Sequence, residues 1–223
     1  MEWYKKISLF LVGLFILLVG CMGLKQPMNK IEYYTLEYTP PHITDLKPLS
    51  HVIRLEQFTA SPTYNTSRII YKDQSFKRDS YFYYRWRDNP GALVTHCLNR
   101  DIRHSGLFKA VLTSNSRLAS SYMLEGSVEE FFESDMEEKW KAILSISIVL
   151  IDKNQIDVGN RILFQKAYRK EEVCKRRNPS ALAEAMSLAM SKISKQIIND
   201  IYYCLLSKIS RSRQAYLARI VHE

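Results

Sequence analysis

The sequence predicts an α+β fold, a single domain of mostly antiparallel sheet with two main helices, at about 90–105 and 179–206, packed on it. Three observations carry this. Trp140, Ala142, Leu144, Ile146, Ile148 and Leu150 alternate strictly with other residues, the period of two that a sheet covered on one face requires. Asn89-Pro90 and Asn178-Pro179 each place a capping side chain before a proline at a first helical position, and each opens a stretch with apolar residues at steps of three and four. Aromatics make up 12% of the chain, with 14 Tyr against only 7 Gly, which suits a packed sheet better than glycine-rich loops.

The first 20 residues read as a signal peptide. Lys5 and Lys6 form a positive start, Ile7 to Val19 a short apolar run, and Leu18-Val19-Gly20-Cys21 an exit with a small residue just before a cysteine. A lipoprotein signal needs a thiol there, because the diacylglyceryl group is carried on sulfur and the freed amine takes a further acyl chain, typically palmitate. Cleavage is therefore expected between Gly20 and Cys21, with Cys21 as the lipidated residue. The alternative is an uncleaved transmembrane anchor, since Ile7 to Leu24 runs without a charge. Both place the body of the protein outside the cytoplasm. Residues 21–30 form a tether, 31–206 the domain and 207–223 a basic tail whose structure is left open.

Within the domain, Tyr33-Tyr34-Thr35-Leu36 reads as a strand ended by Pro40-Pro41, and His51 to Phe58 as a second. Arg68 to Lys72 and Ser80 to Trp86 form a hairpin with a long connection. The aromatic and basic mixture of Tyr81 to Trp86 would suggest a stacking platform on a nucleic-acid protein, but a strand buried on one face and covered at its end is the better account. The helix from Pro90 to about Ser105 has Leu93, Cys97, Leu98 and Ile102 on its apolar side and Gly106 where a left-handed cap belongs. Leu107 to Val111 starts a strand at once.

Tyr122 to Phe132 and Trp140 to Ile151 are the longest strands, joined by an acidic connection of Glu129, Glu130, Glu133, Asp135, Glu137 and Glu138. This lacks the spacing of a calcium loop and reads as a solvated hairpin tip. Arg161 to Tyr168 is another strand, Lys170 to Arg177 an exposed charged stretch. Leu182, Met186, Ala189, Met190, Ile193, Ile197 and Ile201 then mark the sheet-packing side of the second helix.

Removing Glu2, Lys5 and Lys6 with the signal leaves 203 residues, 30 basic and 22 acidic, enough for one domain with a core. Export argues against nucleic acid and leaves anionic lipid headgroups or an acidic protein surface as partners for this charge, most of which simply solvates the surface. Cys97, Cys174 and Cys204 are odd in number and match no metal spacing, so one pair at most can form. His42, His51, His96, His104 and His222 are scattered, and even His96 and His104, on one helix, lie too far apart to share an ion. The chain has no Gly-x-Ser-x-Gly, His-Glu-x-x-His or phosphate loop, so it is expected not to be an enzyme, with no catalytic, cofactor-binding or metal residues and no cofactor.

The order of features is more specific than any one of them. The lipobox is followed by Tyr33-Tyr34-Thr35-Leu36, a strand ending in Phe58, Arg68-Ile69-Ile70-Tyr71, Tyr84-Arg85-Trp86 and Asn89-Pro90. Ser105-Gly106-Leu107-Phe108 with Val111, the Tyr122 to Phe132 strand and Asn178-Pro179-Ser180-Ala181-Leu182 complete the series. This series resembles the ABC-type transport auxiliary lipoprotein family, of the paraquat-inducible lipoprotein C type, over about residues 33–206. The resemblance implies a periplasmic, membrane-tethered domain that partners an MCE-domain protein and an ABC transporter moving phospholipid or other hydrophobic cargo. Its ATPase would be a separate subunit. Only Cys21 carries a transferable role; Trp86 and Gly106 match the pattern but have structural accounts as core filler and helix cap. Met22, in place of the Asp that retains many lipoproteins at the inner membrane, points to the periplasmic face of the outer membrane. The competing readings are a stand-alone lipid-anchored enzyme or cargo-binding protein, and an envelope-assembly lipoprotein.

Overall fold

A long β-ribbon is the spine of the computed structural model, which describes residues 1, 3, 4, 30–136 and 139–220. The chain divides into two units, Met1–Lys30 and Ile31–Glu223. Of the first, Gly20 and Cys21 lie outside the described residues, and so does most of the tether. The second carries β1 (Glu32–Tyr34), β2 (Leu49–Leu55), β3 (Thr59–Ala60), β4 (Arg68–Lys72), β5 (Asp79–Trp86), α1 (Pro90–His104), β6 (Phe108–Thr113), β7 (Tyr122–Met136), β8 (Lys139–Asp152), β9 (Ile162–Val173) and α2 (Pro179–Ile220). It is an α+β domain, and among the described residues nine strands form one mixed sheet.

The ribbon β7–β8 is antiparallel over its whole length, and β9 continues it antiparallel on the far side of β8. The other side of β7 is shared along its length by three parallel strands: β2 at Tyr122 to Leu124, β3 at Ser127 and Val128, and β4 at Glu133 and Ser134. The sheet therefore forks. One arm is β2–β6, parallel; the other is β4–β5, the expected hairpin, with β1 parallel at its edge. Antiparallel pairing dominates the ribbon and parallel pairing the fork.

Side-chain alternation decides which face α2 covers. From β9, Lys166 and Tyr168 reach Asp200 and Glu172 reaches Lys192. Their register partners on β8 are Ile148, Ile146 and Ala142, so the even-numbered side chains of β8 lie under α2. Ala142, Leu144, Ile146, Ile148 and Leu150 are all fully buried, as are Met186, Ala189, Met190, Ile193, Ile197 and Ile201 of the helix. Each large aliphatic side chain so buried contributes about 1.5–3 kcal/mol. The odd-numbered face carries a cross-strand ion ladder instead, Lys141–Glu171–Arg169–Glu130.

Several boundaries differ from the sequence expectation. The second helix does not stop near Leu206 but runs to Ile220, because no glycine or proline interrupts residues 180–220; most of the supposed tail is helix. The His51 to Phe58 strand starts earlier, at Leu49, and ends at Leu55, and Phe58 gives its N–H to the Thr95 hydroxyl instead of a ladder. Lys170 to Val173 are a continuation of β9, with Glu171 and Val173 exposed, and Lys175 to Arg177 beyond the strand are exposed as expected. The acidic stretch is not a solvated tip either: Glu129, Glu130, Glu133 and Asp135 lie within β7, and Glu133 is buried, while Glu137 and Glu138 lie outside the described residues. Cys97, Cys174 and Cys204 are all free thiols, two of them buried.

Candidate functional site

Helix α1 is fixed first at its N-terminus. The Asn89 side chain accepts the Ala92 N–H at 2.9 Å, and Pro90 takes a position that needs no donor. Gly91 lies so close to the chain before β3 that a Cβ there would strike the Phe58 carbonyl. Thr95 locks the same contact, donating to Gly91 O at 2.7 Å while accepting from the Phe58 N–H at 2.9 Å. At the other end Gly106 adopts φ +66°, the left-handed conformation that lets β6 leave at once.

This arrangement turns Leu93, Val94, Cys97, Leu98 and Ile102 into the core. The same periodicity puts Ala92, His96, Arg100 and His104, at successive steps of four, along one outer stripe, with Asn99 and Arg103 beside it. The stripe borders a groove of about 840 Å³, floored by Leu55 and Gln57 and faced by Thr113, Ser114 and Asn115 at the end of β6. None of the residues lining it is acidic.

The far wall is held by one buried cation. The Arg54 guanidinium donates to the carbonyls of Thr113 at 3.3 Å, Ser114 at 3.1 Å, Ser116 at 2.7 Å and Leu118. Four carbonyls around one guanidinium fix the 113–118 turn in place, since each loses its partner if the turn moves.

Beneath the stripe, Asp101 is fully buried and ties α1 to the segment that follows β1. It accepts from the Tyr38 hydroxyl at 2.7 Å and from Arg100 Nε at 2.9 Å, and the Arg100 guanidinium lies 4.3 Å over the Tyr38 ring. Burial and the neighbouring Asp101 push the Tyr38 hydroxyl far above its ordinary range, so it acts as a permanent donor. Burial also pushes the Cys97 thiol up to about 11, which makes it inert at neutral pH. Arg103, by contrast, is exposed and spends one donor on Asn99 at 2.8 Å.

The histidines separate. His96 and His104 stand about 12 Å apart along the helix, too far to share an ion yet on the same groove. His51 packs edge-on to Tyr122 at 5.0 Å, and burial holds its imidazole below the usual range. His42 is exposed, and His222 lies outside the described residues. Among the described residues no group of three or more metal-ligating side chains comes together, and no helix is long and apolar enough to cross a membrane. Trp86 is a core residue, edge-on to Phe131 at 5.0 Å.

The groove itself was not anticipated, although the i, i+4, i+8 spacing of His96, Arg100 and His104 was a readable sign of it. The opposing wall was not readable, because it depends on how β2 and β6 pair.

Comparison with known proteins adds the fold and no more. No family model and no curated protein matches the sequence. Among solved structures, a Xanthomonas campestris protein described under the family model DUF330 superposes with TM-score 0.70 at 15% identity, over 81% of this chain and 99% of that one. An uncharacterized protein superposes with TM-score 0.60 at 12% identity, over 77% and 99%. A lipoprotein from Neisseria meningitidis matches at TM-score 0.35 and 12% identity, over 65% and 99%, a likeness too slight to bear on this chain. The fold thus recurs in other chains at a sequence identity that fixes nothing about role.

Proposed function

We propose that this chain is a non-catalytic lipoprotein, anchored through Cys21 to the periplasmic face of the outer membrane, where it serves as auxiliary component of an MCE/ABC-type intermembrane lipid transport system. The observation that carries this reading is the lipobox ending at Cys21, followed within ten residues by a domain that begins at Ile31. A second observation supports it. Three of the segments that carry the family resemblance, Tyr84 to Trp86, Asn89-Pro90 and Ser105 to Phe108, fall in one continuous unit, β5–α1–β6. That unit supplies one complete side of the groove and the strand leading into the other.

Two acyl signals suffice for stable anchoring at about 0.8 kcal/mol per buried CH₂. The Cys21→Ala chain is expected to lose acyl label and leave the outer-membrane fraction, while retaining the far-UV spectrum of a folded domain. Undiminished membrane association, with no label on the wild type, would identify a transmembrane anchor instead. The partner is tested by crosslinking the lipidated chain in intact envelopes. An MCE-domain protein is expected among the products, and repeated capture of a different envelope machine in its place excludes the transport reading. The groove favours one rival, a stand-alone ligand-binding lipoprotein, which predicts bound ligand and no MCE crosslink.

A further inference from the structure

The groove beside α1 has a chemistry of its own, to which the transport reading assigns no role. Its helix wall presents Arg100, Arg103 and two imidazoles, its opposite wall the short polar side chains of Ser114 and Asn115, and no lining residue is acidic. Arg100 is already committed to Asp101, with Nη2 2.9 Å from Oδ1. Arg103 is not: among the described residues its side chain bonds only to neutral Asn99. One guanidinium without a carboxylate partner therefore faces hydroxyl and amide donors across a cavity within the size range of small-ligand sites. The Leu55 floor is apolar, so the space suits an anionic head carrying a less polar body better than a bare ion.

We infer that this groove binds a phosphate ester, its phosphate held by Arg103 and the facing Ser114 and Asn115, its organic part lying toward Leu55. Arginine's planar fork matches phosphate oxygens, and small donors opposite complete their hydrogen bonding. The pinning of the far wall by Arg54 makes the site preformed. The inference stands independently of the transport reading: it requires neither Cys21 lipidation nor an MCE partner.

The test uses the full chain in nonionic detergent, titrated calorimetrically with inorganic phosphate, glycerol 3-phosphate and monomeric dihexanoyl phosphatidylglycerol. Saturable binding of at least one ester is expected. Arg103→Gln should weaken it about tenfold, the scale of one charge-assisted contact, while Lys170→Gln on β9 leaves it unchanged. Melting curves matching wild type establish that the Arg103 side chain, not folding, is being read. Tighter binding of the phosphatidylglycerol identifies a lipid headgroup as the source; equal binding of glycerol 3-phosphate identifies a soluble ester. The inference is overturned if neither ester saturates, if inorganic phosphate binds as tightly as both, or if the two substitutions weaken binding equally.

Discussion

Glu133 and Asp152 sit at opposite ends of the β7–β8 ribbon, on the same α2-covered face, and they are equally inaccessible at 1% and 2% exposure. Their carboxyls nevertheless move in opposite directions. Burial pushes Glu133 up to about 7, and nearby Asp135 adds to the rise; the Tyr81 hydroxyl, donating at 2.8 Å, and the charge of Arg177 only moderate it. Asp152 experiences burial too, but Lys208 donates to it directly, and the Asn154 N–H at 2.9 Å helps hold it below the usual carboxylate range. Depth alone thus does not decide the charge of a buried acid. A full cation within hydrogen-bonding reach does; a neutral hydroxyl does not suffice.

The comparison breaks most violently at Lys208. In Lys208→Met the Asp152 carboxylate stays buried without its cation, and at neutral pH the domain should lose about 3 kcal/mol, toward the low end for a broken buried pair because the ammonium is partly exposed. Since the folded Asp152 is held below its ordinary range, the stability it contributes is present at neutral pH and fades as pH falls through the carboxylate range. The deficit of the variant in urea unfolding should accordingly shrink in acid. A deficit that is constant with pH would mean lost packing and not a stranded charge.

Glu133 gives the opposite slope. Its folded state holds the proton more tightly than the unfolded chain, whose carboxyl titrates near 4.5, so stability is greatest below that value and declines as pH rises toward about 7. The decline is worth roughly 3 kcal/mol. Glu133→Gln keeps an acceptor for Tyr81 but cannot ionise, and its unfolding free energy should stay level across the same window. Parallel profiles for variant and wild type would remove Glu133 as the titrating group.

These two acids also mark where the sequence was legible. The alternation of Trp140 to Leu150 and the stripe from Leu182 to Ile201 specified both partners of the main core contact, because each pattern is local and has a fixed period. Asn89-Pro90 and Gly106 set α1 almost to the residue. Glu133 was read as a solvated loop residue because its burial depends on β4 and β5 arriving beside β7, a pairing that no local pattern encodes. Lys208 fell in a tail without a clear amphipathic stripe, yet the absence of any helix breaker carried α2 through it to the end of the ribbon. The lipobox, the most specific motif in the chain, has its meaning in processing chemistry and not in the fold.

The finest distinction concerns how much Tyr81 does for Glu133. Burial and the bonded carboxylate push this hydroxyl far above its ordinary range, so it remains a donor at every accessible pH. Its ring also belongs to an aromatic row, 4.8 Å from Tyr71 and 5.7 Å from Tyr84, which fixes it irrespective of the carboxyl. Tyr81→Phe therefore keeps the packing and removes one donor. Below the carboxyl's titration the loss is that of a neutral hydrogen bond, about 1 kcal/mol. Above it, the ionised carboxylate loses a charge-assisted bond worth about twice as much. The difference should deepen the decline of stability with pH and carry its upper end to higher pH, because removing the donor strands the ionised form more than the protonated one. If instead the profile merely drops by the same amount at all pH values, the hydroxyl contributes equally to both forms and the position of Glu133's titration is set by burial and Asp135 alone.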